Sequence, residues 1–326
     1  MAGNDDLLNC GSPWTRYRTL LDLEGWLAEE TLVKAVRAEM VAHPLVRALI
    51  AELGQWPWSV ISSHKSAGQP FHKLAFLAEI GLNAQDDGMA SILERLLSHF
   101  SVESLPRLPM NIPVHFGGSG LETHGWALCD APLLLHVLVK MGLDREAKVR
   151  EGIAYLTGLG RANGWPCKVS QELGKFRGPG RQDDPCPYAT LLVLKLLLAI
   201  PETRNAETVR SGVDSLLDLW QRSLDVHPYQ FYMGTDFRKL KAPFIWYDIL
   251  HVAEILSQSE SARMDERFET MLDLINTKAN QDGLFTSESV WKAWQDWDFG
   301  QKSQPSPWLT FLIRRINFRM NHTGQA

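Results

Sequence analysis

The chain has 326 residues, 45% of them hydrophobic, so its length and composition allow either one large core or two ordinary ones. A net charge of −5 argues against a nucleic-acid footprint, and four scattered cysteines argue against a disulfide framework. The acidic start, Met1–Ser12, has no apolar signal core, and the longest apolar run, Leu191–Ile200, carries Lys195 and is too short to span a bilayer, so a cytoplasmic protein is expected.

Taken in order, residues 1–28 read as an irregular N-terminal arm with a short helix near Tyr17–Leu27. Glu29–Leu53 is periodic and ends at Gly54. Helices are expected over Pro70–Gly81 and Met89–Phe100, joined by the turn Gln85-Asp86-Asp87-Gly88. Ser101–Gly120 is rich in proline and glycine and reads as a loop. Further helices are expected over Ala127–Met141, Asp144–Leu159, Pro187–Ala199, Ala206–Leu224, Phe244–Ser257, Ala262–Lys278 and Pro307–Phe318. No strand is evident, and the expected class is all-α.

These helices repeat. Nearly all-apolar helices start near His72, Leu128, Pro187, Ile245 and Ser306, in steps of 56, 59, 58 and 61 residues. Amphipathic helices start between them near Gly88, Asp144, Ala206 and Ala262, in steps of 56, 62 and 56. An all-apolar helix is buried on every side, whereas an amphipathic one keeps a wet face. The alternation therefore predicts two concentric layers, an α/α toroid of about five to six helical hairpins over residues 29–326.

Equivalent inner-helix ends then share one rim. That rim would collect His124, Cys129 and Asp130, then Asp184 and Cys186, then Asp248 and His251, then Trp297, Asp298 and Trp308. The densest stretch is Lys175–Thr190. It holds Lys175, Arg177 and Arg181 among glycines, then Asp183-Asp184-Pro185-Cys186 and an apolar helix beginning at Pro187 and Tyr188. A helix N-terminus favours anions and lowers a thiol pKa. Twelve tryptophans offer aromatic walls. The walls of an elongated apolar cavity at this rim are expected to include Trp126, Trp165, Trp246, Trp297 and Trp308.

The layered repeat and three local motifs resemble the terpenoid-cyclase and protein-prenyltransferase superfamily, including squalene-cyclase-like repeat proteins. The nearest local likeness is to protein prenyltransferase β subunits. Glu122-Thr123-His124-Gly125-Trp126-Ala127-Leu128-Cys129 is similar to a His-Gly-Gly-Tyr-like segment, Asp184-Pro185-Cys186 to an Asp-x-Cys, and Asp248-Ile249-Leu250-His251 to an Asp-x-x-His. The resemblance implies a catalytic zinc on Asp184, Cys186 and His251, with Asp248 orienting the imidazole. It also implies a diphosphate met by His124 and by one or more of Lys175, Arg177 and Arg181, with Tyr188 lining the site. Three protein ligands would leave zinc an open position.

The function expected from this resemblance is that of a stand-alone, zinc-dependent enzyme on an isoprenoid or lipid-like substrate, by prenyl transfer, cyclisation or hydrolysis. One alternative is a toroidal scaffold that binds a lipid or a partner protein without chemistry. Another is a class II-type terpene cyclase with Asp183/Asp184 or Asp86/Asp87 as its acid.

Overall fold

Prolines open many of the helices, where a missing N–H breaks no intrahelical bond. The computed structural model describes residues 4–176, 183–225, 228 and 231–322. The first helices are α1 (Asp5–Leu8), α2 (Pro13–Asp22), α3 (Thr31–Ala42), α4 (Pro44–Leu53), α5 (Pro70–Ile80) and α6 (Met89–Ser98). Strands β1 (Leu108–Asn111) and β2 (Glu122–Gly125) follow. Then come α7 (Ala131–Lys140), α8 (Ala147–Gly158), α9 (Pro187–Leu198), α10 (Glu207–Gln221), α11 (Ile249–Leu256), α12 (Glu260–Arg263), α13 (Glu266–Asn276) and α14 (Pro307–Asn321). The protein is mostly α-helical, with one two-stranded antiparallel sheet among the described residues. None of the described helices is long and apolar enough to cross a membrane.

The two helix classes are distinct. Every residue of α9 and of α11 is buried, as are most of α5 and α7. In contrast, α13 buries Phe268, Met271, Leu272 and Ile275, the i, i+3, i+4, i+7 stripe of a helix with one wet face. Likewise α6 buries Met89, Ile92, Leu93 and Leu96. The contacts run α5 to α7, α7 to α9, α9 to α11, α11 to α14, α14 to α2 and α2 back to α5. Each of α2, α5, α7, α9 and α11 also packs against an amphipathic neighbour: α3, α4, α8, α10 and α13 respectively.

Three differences from the sequence reading have local causes. Glu29–Leu53 is two helices, because Pro44 forces His43 into an extended conformation, and His43 then accepts a hydrogen bond from Leu45 N at 3.3 Å. The segment read as an arm contains α2, whose Trp14, Tyr17 and Leu20 are buried between α14 and α5. The loop Ser101–Gly120 contains β1, which pairs with β2 so that Leu108 faces Gly125 and Met110 faces Thr123. Four residues including a proline are too short a run for alternation to show.

The buried helices are not wholly apolar. Arg315 of α14 is 3% exposed and bonds Glu79 of α5 at 2.6 Å, Glu254 of α11 at 2.9 Å and Asp22 of α2 at 3.2 Å. Lys195 of α9 lies 3.9 Å from Glu79. Charges were expected at the N-terminal rim, but this network lies within the packed helices and ties five of them together. Burial alone would raise the Glu79 carboxyl; Arg315 and Lys195 overcome that and hold it well below the usual range.

Candidate functional site

A cavity of about 1080 Å³ lies beside the segments that lead into α7, α9 and α11, and Cys129, Cys186 and Trp246 line it from those segments. Backbone pairing builds its walls. Ile61 N donates to Pro109 O at 2.8 Å and Asn111 N to Ile61 O at 3.1 Å, which lays the segment carrying His64 and Lys65 along β1. Leu128 N donates to Lys168 O at 3.0 Å, and Ser170 N to Trp126 O at 2.8 Å. Those bonds set the entry to α7 antiparallel to the segment after Trp165. Cys186 is the N-cap residue of α9, and its N–H donates to Trp165 O at 2.7 Å. Trp165 is itself held, donating from Nε1 to Leu156 O at 2.7 Å and from its backbone N to Thr190 Oγ1 at 2.9 Å.

The lining is amphipathic. Ile61, Met110, Ile112, Phe116, Phe176, Phe231 and Trp246 provide apolar surface. Lys65, Arg161 and Lys175 provide cations, and Asp184 is the one carboxylate among the described lining residues. Lys65 Nζ lies 4.9 Å over the Trp246 ring. Arg177 and Arg181 lie outside the described residues.

Two reactive groupings meet the cavity. His64 Nε2 is 2.6 Å from Oδ2 of the fully buried Asp130, whose Oδ1 also accepts from Ala127 N at 3.3 Å. Burial raises the Asp130 carboxyl, and the His64 bond draws it back. The second grouping is a set of three thiols, Cys129, Cys167 and Cys186, which line the same cavity. The neighbouring Cys129 thiol and burial push the Cys186 thiol up to about 12, against the opposing effect of Cys167. The N-terminus of α9 was expected to lower this thiol; burial and a thiol neighbour dominate instead.

The remaining expected site residues are dispersed. His251 does not line the cavity. It donates from Nδ1 to Trp246 O at 2.9 Å, stacks on Phe244 and keeps Nε2 buried without a hydrogen-bond partner. Burial pushes its imidazole down to about 3. Asp248 acts as a helix cap, Oδ1 accepting from His251 N at 3.0 Å, and does not touch the imidazole through any hydrogen bond found. Tyr188 is buried and donates to Ile245 O at 2.8 Å, its ring packing at a tilt against Trp246. His124 sits on the exposed side of β2, stacked near His99, away from the cavity lining.

Of the five tryptophans expected as walls, Trp246 lines the cavity and the other four do not. Trp126 and Trp165 are buried with their indole N–H groups bonded to Glu103 and Leu156. Trp297 packs on Trp14 and Phe76, and Trp308 on Phe311. Asp86 and Asp87 are paired with Arg37 and Arg47 at 2.7 and 2.8 Å, as turn residues, and do not line the cavity.

Among the described residues, no three His, Cys, Asp or Glu side chains are grouped as a metal's ligands. Asp184 and Cys186 share the cavity wall while His251 lies outside its lining, so the three as arranged do not make one ligand set. His64, Lys65 and Arg161 carried no motif in the sequence, since loops without periodicity or spacing rules place them.

No family model matches this chain, and no curated protein matches it. Among solved structures, a protein from Actinoplanes aligns over 96% of this chain and 90% of its own length, at 12% identity and a TM-score of 0.40. That similarity defines neither a family nor an activity.

Proposed function

We propose that the chain is an α/α toroid of the terpenoid-cyclase and prenyltransferase type whose cavity binds an anionic amphiphile, an isoprenoid diphosphate in particular. The supporting observation is one cavity in which apolar and aromatic surface adjoins Lys65, Arg161 and Lys175. A diphosphate is matched by cations and helix N-termini, and a polyene chain by Ile, Met, Phe and Trp side chains. The circular order of helix contacts supports the toroid. In a catalytic form, His64 held by Asp130 is the group able to move a proton at the cavity wall.

Calorimetry with farnesyl diphosphate and with farnesol tests this. The diphosphate is expected to bind and the alcohol to bind more weakly. Replacing Lys65 and Lys175 together by alanine should weaken diphosphate binding by about 2 kcal/mol or more, the scale of lost charge-assisted hydrogen bonds. The same is expected of Arg177 and Arg181 replaced together. A parent protein that binds neither ligand ends this reading.

Zinc-dependent turnover needs His251 to reach Asp184 and Cys186. Metal content of protein purified without chelator reads that directly. A second reading, a scaffold that binds a lipid or partner protein without chemistry, draws on the elevated Cys186 thiol and on Asp248 serving as a cap. Binding of farnesyl diphosphate without release of pyrophosphate would select it.

A further inference from the structure

Cys129, Cys167 and Cys186 are far apart in the chain and meet because the backbone brings them together. The bonds Leu128 N to Lys168 O and Ser170 N to Trp126 O, with the antiparallel bridge of Ala127 to Val169, bring the stretch leading to Cys129 alongside the stretch that follows Cys167. The bond Cys186 N to Trp165 O brings the start of α9 onto the same segment. All three cysteines line the one cavity, and the Cys186 thiol is close enough to Cys129 and Cys167 for both to shift its titration. Cys129 lies two residues after Ala127 and Cys167 two residues before Val169, so that bridge holds both beside the wall that Cys186 enters. Cys10 is elsewhere, with its thiol donating to Ser12 O at 3.7 Å.

We propose that these three thiols are an oxidative modification site, at which a peroxide entering the cavity joins Cys186 to Cys129 or Cys167 by a disulfide. In the first step an S–O bond forms on Cys129 or Cys167, the two half-exposed thiols, as the peroxide O–O bond breaks, and one water leaves. In the second, the neighbouring thiol attacks that sulfur, the S–S bond forms, the S–O bond breaks and a second water leaves with the thiol proton. Two thiols are oxidised by two electrons in total and one peroxide is reduced to two waters. The third thiol stands beside the new bond and can reopen it by exchange. A Cys186–Cys129 bond would link the start of α9 covalently to the start of α7, and a Cys186–Cys167 bond would close the same wall. Three properties set this cluster apart from a lone cysteine: a shared cavity that admits a small oxidant, two half-exposed thiols to meet it, and Cys186 beside them as the resolving partner. The proposal holds whatever else the cavity binds.

The test treats the full chain with hydrogen peroxide, alkylates the remaining thiols, and reads intact mass and disulfide-linked peptides. The expected result is loss of two of the four free thiols, a linked peptide that contains Cys186, and full recovery with dithiothreitol. Cys10→Ser should behave as the parent apart from its missing thiol. Cys186→Ser should lose the linked peptide containing position 186, and peptide mapping of the parent decides the matter if that variant does not fold. Four thiols intact, a link between Cys129 and Cys167 with Cys186 untouched, a link through Cys10, or sulfinic acids without a disulfide would each overturn the proposal. So would a bound metal ion that protects all three thiols until a chelator removes it.

Discussion

His64 Nε2 lies 2.6 Å from Oδ2 of Asp130, a carboxylate with no exposure to solvent at the start of α7. The pair joins the loop before α5 to the entry of α7, and the same carboxylate accepts from Ala127 N. Asp130→Ala removes both acceptor roles and leaves a buried N–H unpaired, which should cost about 1–3 kcal/mol. Asp130→Asn keeps one acceptor oxygen and should lose less. Urea denaturation of the two variants measures the difference; equal losses would show that the hydrogen bonds are not what the carboxylate contributes.

Arg315 should be the most sensitive charged position. Its guanidinium holds Glu79, Glu254 and Asp22, with Glu79 lying 236 residues earlier in the chain. Arg315→Met leaves those carboxylates short of a partner in a buried setting, and about 3–5 kcal/mol of stability should go with it. The pH dependence has a definite sign. The Glu79 carboxyl titrates below its unfolded value, so its contribution is present above about pH 4.5 and is lost as pH falls through the lower folded value. Acid unfolding of Arg315→Met, followed by circular dichroism, should therefore begin at a higher pH than in the parent.

Asp248 should behave in the opposite sense. Burial pushes its carboxyl up from 3.8 to about 7, against the pull of Lys241 and of the His251 and Leu250 backbone N–H groups. A raised carboxyl binds its proton more tightly in the folded state, so stability falls as pH rises between those two values. Asp248→Asn retains the oxygen that caps α11 and cannot ionise. The variant should match the parent near pH 4 and exceed it at pH 8, by no more than the roughly 4 kcal/mol that linkage allows. Thermal unfolding across that range checks the sign; a parent that gains stability from pH 4 to 8 relative to the variant contradicts it.

Gly125 closes β2 under a tight roof. A Cβ there would come within 2.5 Å of Leu173 Cγ and 2.6 Å of Ser170 Oγ, the hydroxyl that accepts from Trp126 N. Gly125→Ala should cost about 1–3 kcal/mol through the displaced neighbours. A lowered Tm together with weaker farnesyl diphosphate binding is expected, since the displaced segment leads directly to Cys167 and Cys129. An unchanged Tm would show that Leu173 yields freely.

Several features were legible in the chain by itself. The apolar helix at Pro187–Leu198, the stripe on α13 and the Gly81 terminus of α5 in a left-handed conformation follow from composition and spacing within a dozen residues. The alternation of buried and half-wet helices was legible for the same reason, because periodicity reports how much of each helix meets water. Lys175, Asp184 and Cys186, close together in one stretch of the chain, line one cavity.

Other features exist only in three dimensions. Periodicity carries no information about which buried face meets which partner, so it could not show α2 packing between α14 and α5. Nor could it show that Arg315 finds carboxylates on three other helices, or that four of the five expected tryptophans pack in the core while Trp246 alone of them lines the cavity. The thiol cluster required a backbone register between segments about 40 residues apart, set by hydrogen bonds that any residue type could make. Side chains declare their need for burial or charge locally. Their partners are decided by packing at long range, and there His251 bonds the backbone of Trp246, which lines the cavity, without being a lining residue itself.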